Sequence, residues 1–264
     1  MESTARQTFL QQYAAIRHSE GRGSADPAWY RALPYRDLRG VESAQWKIRA
    51  GSYRHFERKL LSPLEREIGR PLRILDLGAG NAWMSYRLSL RGHQSVALDI
   101  FADSLDGLGA IPNYSQPIPA VLAEFDCLPF APRSFDLAIY NSSLHYSADY
   151  NRTLTELRRC LTPPGRFFVI DSPVYRLPEQ GRRMREERQV YFERTYGFRS
   201  EVARSIEYLD DESLRRIATE LGIEWTRSRP WLGWKWALRP LRARIRGARP
   251  PSQFFILEGK FREQ

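Results

Sequence analysis

The segment ILDLGAGNAW, residues 74–83, constrains the fold more than any other stretch of the sequence. A short apolar run meets an acidic residue, Asp76, and then two closely spaced glycines, Gly78 and Gly80. This order predicts a buried strand, a tight turn and a helix start. In a wound α/β sheet the turn after the first strand binds nucleotide-like ligands, and glycine there lets a ligand approach the backbone. The segment predicts a site for an adenosine-containing ligand, with a purely structural turn as the alternative.

Strand-like and helix-like patterns alternate after this point. The predicted strands up to residue 172 are RILDL, SVALDI, PAVLAEF, FDLAIYN and GRFFVIDS. Helices are predicted at about 82–91 and 149–161, and a helix over 211–221 precedes two late strands near IEWTRS and SQFFILEG. This alternation predicts an α/β fold with a parallel sheet and helices on both of its faces.

The composition favours one elaborated domain without a membrane span. With 264 residues, 42% of them hydrophobic, the chain can bury a sizeable core, and no run approaches the roughly 18 apolar residues of a membrane helix. The first segment lacks the apolar centre of a signal peptide, so we expect a cytoplasmic protein. Cys127 and Cys160 have no metal-ligand spacing, and we predict no metal site. The net charge of +10 favours an acidic partner without identifying it.

An acidic residue at the end of the second predicted strand narrows the choice of ligand. Asp99 lies 21 residues after Gly78, where this architecture places a carboxylate that accepts hydrogen bonds from two ribose hydroxyls. Nicotinamide enzymes and S-adenosylmethionine enzymes both use this device. A dinucleotide turn has its third glycine at the position of Trp83, so this bulky residue disfavours a pyrophosphate. The spacing separates the two cofactors only in part.

Four motifs in order carry a family resemblance. They read LDLGAGNA, ALDI, AEFDCLPF with SFDLAIYNSSLHY, and LRRCLTPPGRFFVIDSP. Over residues 72–172 the sequence resembles the class I S-adenosylmethionine-dependent methyltransferases, in particular their small-molecule branch. The resemblance implies S-adenosylmethionine as cofactor and a Rossmann-like, mostly parallel seven-stranded sheet with an antiparallel last strand. Two positions depart from the family pattern: Ala82 replaces the third glycine, and Glu124 replaces an aspartate.

Carried over position by position, the resemblance implies a cofactor site. Gly78 and Gly80 would lie against the methionine part, and Asp76 would orient the turn or reach the amino group through water. Asp99 would hold the ribose. The remaining implied contacts are Ile100 over one face of the adenine, Glu124 and the backbone of Phe125 at the adenine edge, and Asn141 beside the amino acid and the methyl group.

Some of these positions have alternatives. Asp76 could instead cap a helix, and Asn141 could be a loop residue that bonds its own backbone. Asp126 competes with Glu124 for the adenine, because two-residue alternation would place both on one side of a strand.

Methyl transfer needs alignment in a dry pocket, and a general base only for some nucleophiles. His145 is the first candidate base because it follows the fourth strand on the cofactor side, and Asp171 at the end of the fifth strand is the second. The alternatives are a packed histidine ring that bonds backbone and a carboxylate that accepts within a turn.

Segments outside the sheet are predicted to complete the site. In the helix predicted over 43–61, Arg49 or Tyr53 would lie near the cofactor carboxylate, unless this helix only packs on the sheet. We predict one domain over 1–264 with four parts. These are an N-terminal helical cap (1–65), the cofactor-binding core (66–172), a lid insertion (173–210), and a C-terminal helix and strand pair with a basic Trp- and Arg-rich insertion (211–264).

The C-terminal insertion has an apolar stripe beside a cationic one. The apolar members recur at helical steps and are Trp231, Trp234, Leu238, Leu241 and Ile245. Pro240 predicts a kink or a restart of this helix. The pattern suits contact of 231–249 with an anionic membrane at its inner surface, whereas the alternative is that the tryptophans cover the domain's own core. A nucleic-acid partner is the least favoured.

The sequence thus predicts methyl transfer from S-adenosylmethionine to an O, N or C nucleophile of a small molecule or lipid-like metabolite. Two other functions are a nicotinamide-dependent oxidoreductase and a non-catalytic cofactor-binding module that acts through its basic surface. The acceptor and the oligomeric state are left open by the sequence.

Overall fold

The computed structural model describes residues 2–199 and 205–262. The helices within them are α1 (Glu2–Ser19), α2 (Pro27–Ala32), α3 (Ser43–Phe56), α4 (Ser62–Ile68), α5 (Trp83–Leu90), α6 (Tyr150–Cys160), α7 (Pro178–Tyr196), α8 (Asp211–Leu221), α9 (Trp234–Ala237) and α10 (Arg239–Ile245). The strands are β1 (Arg73–Leu77), β2 (Gln94–Asp99), β3 (Ala120–Leu122), β4 (Phe135–Asn141), β5 (Leu161–Ile170), β6 (Val174–Tyr175), β7 (Leu209–Asp210), β8 (Ile223–Ser228) and β9 (Ile256–Phe261).

The main sheet has seven strands in the order β3-β2-β1-β4-β5-β9-β8. Neighbours from β3 to β5 pair in parallel, while β9 runs antiparallel to both β5 and β8. The predicted fold class, a mostly parallel seven-stranded sheet with an antiparallel last strand, is confirmed. A separate two-stranded sheet joins β6 and β7 in parallel.

Each face of the main sheet is covered by a hydrophobic layer. Because side chains alternate along a strand, Ile74 packs with α3 and α5 on one face, while Leu75 and Leu77 pack with α6 and α8 on the other. The first layer is rich in aromatic rings, among them Phe56 and Trp83. The sheet is therefore buried on both faces, as its continuous apolar strands require.

Local sequence signals place several of the helix ends. The carboxylate of Asp210 accepts from the backbone N–H groups of Glu212 and Ser213 at the start of α8, and Gly222 ends that helix with φ of 64°. The predicted helix over 43–61 forms as α3 followed by one π-helical turn, Glu57–Leu61. Strand β3 is shorter than predicted and ends at Leu122, which leaves residues 123–126 in a loop.

Candidate functional site

Three polar side chains lie at the carboxyl ends of neighbouring strands. Asp76 is in β1, Asn141 ends β4, and Asp171 follows β5. In the strand register Asp76 is opposite Ile139, two residues before Asn141, and Asn141 is opposite Ile170. Period-two alternation therefore puts Asp76 and Asn141 on the α3 and α5 face, where Asp171 also points to bond α3.

Each of these side chains carries a buried oxygen without a hydrogen-bond partner. These atoms are Asp76 Oδ1, Asn141 Oδ1 and Asp171 Oδ2. Burial raises the pKa of Asp76 to about 7 and that of Asp171 to about 6. Unpaired buried acceptors are costly, and their concentration at one edge of the sheet indicates a ligand that brings donors or positive charge.

The second oxygen of Asp76 has a structural task. Asp76 Oδ2 accepts from the backbone N–H of Ser85 at 3.1 Å and from its hydroxyl at 2.8 Å, within the first turn of α5. The helix-capping alternative thus holds for one oxygen, while the other is left for a ligand.

The glycine turn is shaped by left-handed backbone. Gly78 and Gly80 have φ of 71° and 55°, and Ala82 has φ of 62°. Ala82 thus adopts the conformation that glycine takes easily, which accounts for a family pattern with glycine there and for the tolerance of a small residue. A Cβ on Gly78 would lie 2.4 Å from Ser143 Cβ, whereas one on Gly80 would meet only Asp106 O, at 3.8 Å. Gly78 is needed for close packing, and Gly80 has the more open face.

Asp99 lies directly beside this turn. Its Oδ2 accepts from Gly80 N–H at 2.8 Å and its Oδ1 from Phe101 N–H at 2.9 Å. Burial raises its pKa, and these backbone donors oppose that rise. Because a carboxylate oxygen can accept more than one hydrogen bond, Asp99 can still bind the ribose hydroxyls. Ile100, the next residue, is half-buried.

The loop after β3 separates Glu124 from Asp126. Asp126 pairs with Arg152 of α6 at 3.1 Å, which turns it toward that helix, and Glu124 is exposed. The expected alternation along one strand was wrong, because β3 ends at Leu122. The ring of Phe125 packs edge-on against Tyr140, and its Cζ would lie 3.1 Å from a Cβ on Gly78. Asp126 is thus directed to α6, and the adenine contact of Glu124 stays a prediction.

Helix α1, in the predicted N-terminal helical cap, covers the Asp99 side of the site through residues that the sequence analysis did not single out. Arg17 forms an ion pair with Asp106, and Tyr13 packs edge-on against Phe101 with ring centroids 5.1 Å apart. Burial raises the pKa of Tyr13, whose charged surroundings include Asp99. The helical spacing of α1 was visible in the sequence, but nothing in it indicated where the helix docks.

Helix α3 covers the Asp171 side. Ser52 Oγ donates to Asp171 Oδ1 at 2.5 Å. Arg49, one turn earlier, stacks on Trp46 at 4.8 Å, and burial lowers its pKa despite the nearby Asp171 carboxylate. Arg49 thus places a positive charge near Asp171. Ser52 is a further residue of the site that the sequence analysis missed.

Tyr53 does not reach this site. It is 1% exposed, and its ring packs against Tyr35, Phe56 and Trp83. The charged groups that act on its hydroxyl include Glu57 and Arg91, and Arg91 follows the end of α5 that is remote from the glycine turn. The expected cofactor contact of Tyr53 is wrong, because the aromatic core takes the side chain.

His145 is a packed ring and a poor base. Its Nδ1 lies 3.2 Å from Ser172 Oγ, and its backbone carbonyl accepts from Glu207 N–H at 2.7 Å. Burial lowers the pKa of His145 to about 3, and the positive charge of Arg188 acts in the same direction. The ring is neutral at pH 7 and binds a proton too weakly for general-base catalysis. The structure favours the packed-ring alternative over the catalytic one.

Comparison with known proteins finds a family model that matches the strands of this site. Residues 75–169 match the family model described as "Methyltransferase domain". Over these residues, which run from β1 to β5, the chain is similar to a methyltransferase domain. This similarity agrees with the class I S-adenosylmethionine-dependent resemblance found in the sequence.

The chain is similar to curated enzymes over part of their length. It is 30% identical over 126 residues to a malonyl-[acyl-carrier protein] O-methyltransferase of Erwinia billingiae, covering 48% of each chain. It is 32% identical over 104 residues to a demethylmenaquinone methyltransferase of Mycobacterium sp. (strain KMS), covering 39% of this chain and 43% of that one. The match spans half the length of these relatives or less.

A solved structure shows the same fold. The 1,6-didemethyltoxoflavin-N1-methyltransferase of Burkholderia thailandensis, solved with 1,6-didemethyltoxoflavin and S-adenosylhomocysteine, is 16% identical, with a TM-score of 0.51. The alignment covers 96% of this chain and 90% of that one.

The residues at this edge of the sheet fit S-adenosylmethionine. The cofactor carries a sulfonium and an ammonium group, and the unpaired oxygens of Asp76, Asn141 and Asp171 are acceptors suited to positive charge. A nicotinamide dinucleotide would instead bring two phosphate charges toward buried carboxyl groups. Among the residues that the structure describes, no group of three His, Cys, Asp or Glu side chains could hold a metal ion.

Proposed function

We propose that the chain is an S-adenosylmethionine-dependent methyltransferase that acts on an O, N or C nucleophile of a small molecule or lipid-like metabolite. One observation carries the proposal: three unpaired buried acceptors, on β1, on β4 and after β5, lie along the same sheet edge as the Asp99 carboxylate. A cationic cofactor with a ribose satisfies both features at once.

The cofactor contacts divide between two sides of the turn. Asp99 would accept from the ribose hydroxyls, with Ile100 beside the adenine and Glu124 at its edge. Gly80 offers the open backbone face, and Asp76 Oδ1 would accept from the ammonium group. Asn141 ends the strand between Asp76 and Asp171, which suits a position beside the methyl group.

The cofactor supplies a methyl group already activated by the positive sulfur. The chain then has to align the acceptor and exclude water, and such positioning contributes roughly 7–11 kcal/mol in well-oriented reactions. Helices α1 and α3 provide the covering, through the Arg17 to Asp106 ion pair and the Ser52 to Asp171 hydrogen bond.

Asp171 is the residue proposed to accept a proton from the acceptor. With a pKa of about 6, it is ionised at pH 7.5 and yet basic enough to bind a proton as the nucleophile attacks. Its free oxygen is on the face that carries Asn141, and the hydrogen bond from Ser52 fixes its orientation.

The acceptor side is proposed to lie under α3 and the insertion over 173–210. In that insertion, Arg188 of α7 pairs with buried Glu207 at 2.7 Å, and Glu207 N–H bonds the carbonyl of His145. The names of the relatives support an acceptor that is a small molecule or is bound to an acyl carrier. No described helix is long and apolar enough to cross a membrane. The proposal includes peripheral contact of 231–249 with an anionic membrane.

Calorimetry with three ligands tests the cofactor assignment. S-adenosylmethionine and S-adenosylhomocysteine should bind in the micromolar range, and NAD should bind at least 100-fold more weakly. Equal affinity for NAD would overturn the proposal. Transfer of radiolabelled methyl to a panel of quinols, fatty acids, phenols and amines then tests catalysis. Cofactor binding without transfer to any acceptor would favour the non-catalytic module.

A further inference from the structure

The C-terminal helices form an exposed apolar surface. We call residues 231–246, in and around α9 and α10, the C-terminal surface. Pro240 is the second residue of α10, so the helix restarts there, one of the two outcomes that the sequence predicted. The predicted apolar stripe faces solvent. Its members and their exposed fractions are Trp231 63%, Trp234 74%, Leu238 41%, Leu241 54% and Ile245 77%.

The tryptophans therefore do not cover the domain's own core. Trp231 and Trp234 pack only edge-on against each other among the described rings, with centroids 5.0 Å apart. Trp236, in contrast, is half-buried between Phe254, at 5.0 Å, and the guanidinium of Arg239, at 3.8 Å. The surface is thus held to the domain through Trp236 while its apolar stripe points outward.

Unpaired cations surround the stripe. Within the described residues, four cations in and directly after α9 and α10 form no ion pair and no side-chain hydrogen bond, and they are Lys235, Arg242, Arg244 and Arg246. Arg239 instead stacks on Trp236. The sequence has no acidic residue between Trp225 and Leu257. Exposed tryptophan beside unpaired arginine is the composition of a surface that inserts rings at a lipid headgroup layer and attracts anionic lipid.

The C-terminal surface also touches the helix that covers the acceptor side. A Cβ on Gly51 of α3 would lie 2.9 Å from Leu232 Cδ2 and 3.9 Å from Trp231 O. Gly51 precedes Ser52, which holds Asp171. The C-terminal surface therefore contacts α3 one residue before the hydrogen-bond partner of Asp171.

We propose that the C-terminal surface docks on an anionic lipid bilayer and that the acceptor enters beside α3 from the lipid. This inference rests on the proposed function, because it assigns the acceptor to lipid-soluble molecules. Arg242 and Arg246 attract the anionic headgroups, Trp231 and Trp234 enter the interface, and the contact of Leu232 with Gly51 places the entrance against the membrane.

Binding to vesicles tests the docking. The full chain should sediment with vesicles of phosphatidylcholine and phosphatidylglycerol, and not with phosphatidylcholine alone. R242Q/R246Q should weaken binding about tenfold or more, since each cation near such a surface adds to the attraction. R215Q/R216Q is the matched control: it removes the same charge from exposed positions of α8 and should change binding less than twofold. Equal effects of both pairs would overturn the docking surface.

Fluorescence and hydrogen exchange test the orientation. Brominated lipids should quench the wild-type tryptophan emission, and the W231F/W234F variant should lose most of that quenching. Vesicles should slow amide exchange in 231–246 and in 46–56, and should leave β8 unchanged. Slowing in β8 without slowing in 46–56 would overturn the entrance.

Calorimetry with S-adenosylmethionine separates the two proposals. R242Q/R246Q should bind the cofactor like the wild type. Loss of vesicle binding with intact cofactor binding would therefore concern only the C-terminal surface and not methyl transfer. A chain that binds the cofactor but no vesicle of either composition overturns the docking and leaves methyl transfer standing. Binding to single-stranded RNA as tight as to anionic vesicles, or a stable dimer lost in W231F/W234F, would assign the surface to another occupant and overturn the inference.

Discussion

Ser52 and Asp171, 119 positions apart in sequence, are joined by a 2.5 Å hydrogen bond between Ser52 Oγ and Asp171 Oδ1. Both residues are buried, with 1% and 5% of their surface exposed. The bond fastens α3 to the end of β5 and leaves the other oxygen of Asp171 unpaired. Burial raises the pKa of Asp171 to about 6, and this hydrogen bond and the charge of Arg49 oppose that rise. One contact thus fixes the position of the proposed proton acceptor and favours its charged form.

Replacing Ser52→Ala should reduce the free energy of unfolding by about 1–3 kcal/mol at pH 7.5, since a buried hydrogen bond to a charged group is lost. Urea denaturation measures this change. Ser95→Ala is the matched control, because Ser95 is also buried but its hydroxyl has no partner, and it should cost less than about 1 kcal/mol. Equal losses in the two variants would show that the bond to Asp171 stabilises nothing.

Replacing Asp99→Ala should weaken S-adenosylhomocysteine binding at least tenfold, because the ribose would lose its charged acceptor, and tenfold corresponds to about 1.4 kcal/mol. Asp99→Asn, which keeps one acceptor oxygen for the backbone at Gly80, guards against a misfolded turn. Asp126→Asn is the control and should bind normally, since Asp126 pairs with Arg152. Calorimetry that finds all three variants equal to the wild type would remove the ribose assignment.

Asp76 should make the ligand-free protein less stable as the pH rises. Its pKa is 3.8 in the unfolded chain and about 7 in the fold, so the folded state binds the extra proton between these values and loses that advantage above pH 7. Asp76→Asn keeps an acceptor for Ser85 without the charge. The stability of this variant relative to wild type should therefore rise from pH 5 to pH 8, by a few kcal/mol at about 1.4 kcal/mol per pKa unit.

Asp136 is a control because its pKa is shifted in the opposite direction from that of Asp76. Its carboxylate bonds Arg70 and Arg73, and these contacts hold its pKa well below the ordinary value despite partial burial. Asp136→Asn should therefore destabilise the protein at pH 8 and begin to lose that effect only below the ordinary value of 3.8, as the pH falls toward the lowered pKa. Denaturation curves in which Asp76→Asn gains nothing between pH 5 and pH 8 would contradict the ionisation assigned to Asp76.

Replacing Arg17→Gln should accelerate release of S-adenosylhomocysteine several-fold, because the ion pair with Asp106 holds α1 over the cofactor side. The side chains of this pair are 17% and 8% exposed, so solvent screens the pair little. His18→Gln is the control, since His18 is 53% exposed in its pair with Asp103, and exposed pairs contribute little. Stopped-flow displacement measures both rates, and equal rates would show that α1 does not retain the cofactor.

Much of the cofactor side could be predicted because its signals are local. Asp76, Gly78 and Gly80 follow one another within a single strand and turn, and Asp99 ends the next strand in the same sheet edge. The choice between Glu124 and Asp126 was not local in this sense. It depended on where β3 ends and on Arg152 of α6, which the alternation of residues along the chain does not encode.

The part of the site that faces the methyl acceptor was not predicted, for the same physical reason. Tyr53 and Ser52 are adjacent on α3, and helical spacing alone cannot say which of them turns toward the sheet edge. Packing decided it: the aromatic core takes Tyr53, and Ser52 meets Asp171. His145 looked like a base by position, and only its burial beside Arg188 showed that its pKa is too low.

The sequence by itself determined the order of strands and helices, the glycine turn and the amphipathic stripe of 231–245, because hydrophobic periodicity and turn residues act over a few neighbours. Only the tertiary structure decided what covers each face. A stripe such as Trp231 and Trp234 has the same period whether it meets a core or solvent, and here the core is already filled by rings such as Phe56 and Trp83. The packing of distant segments decides which surfaces remain exposed, and the periodicity of one segment does not encode that packing.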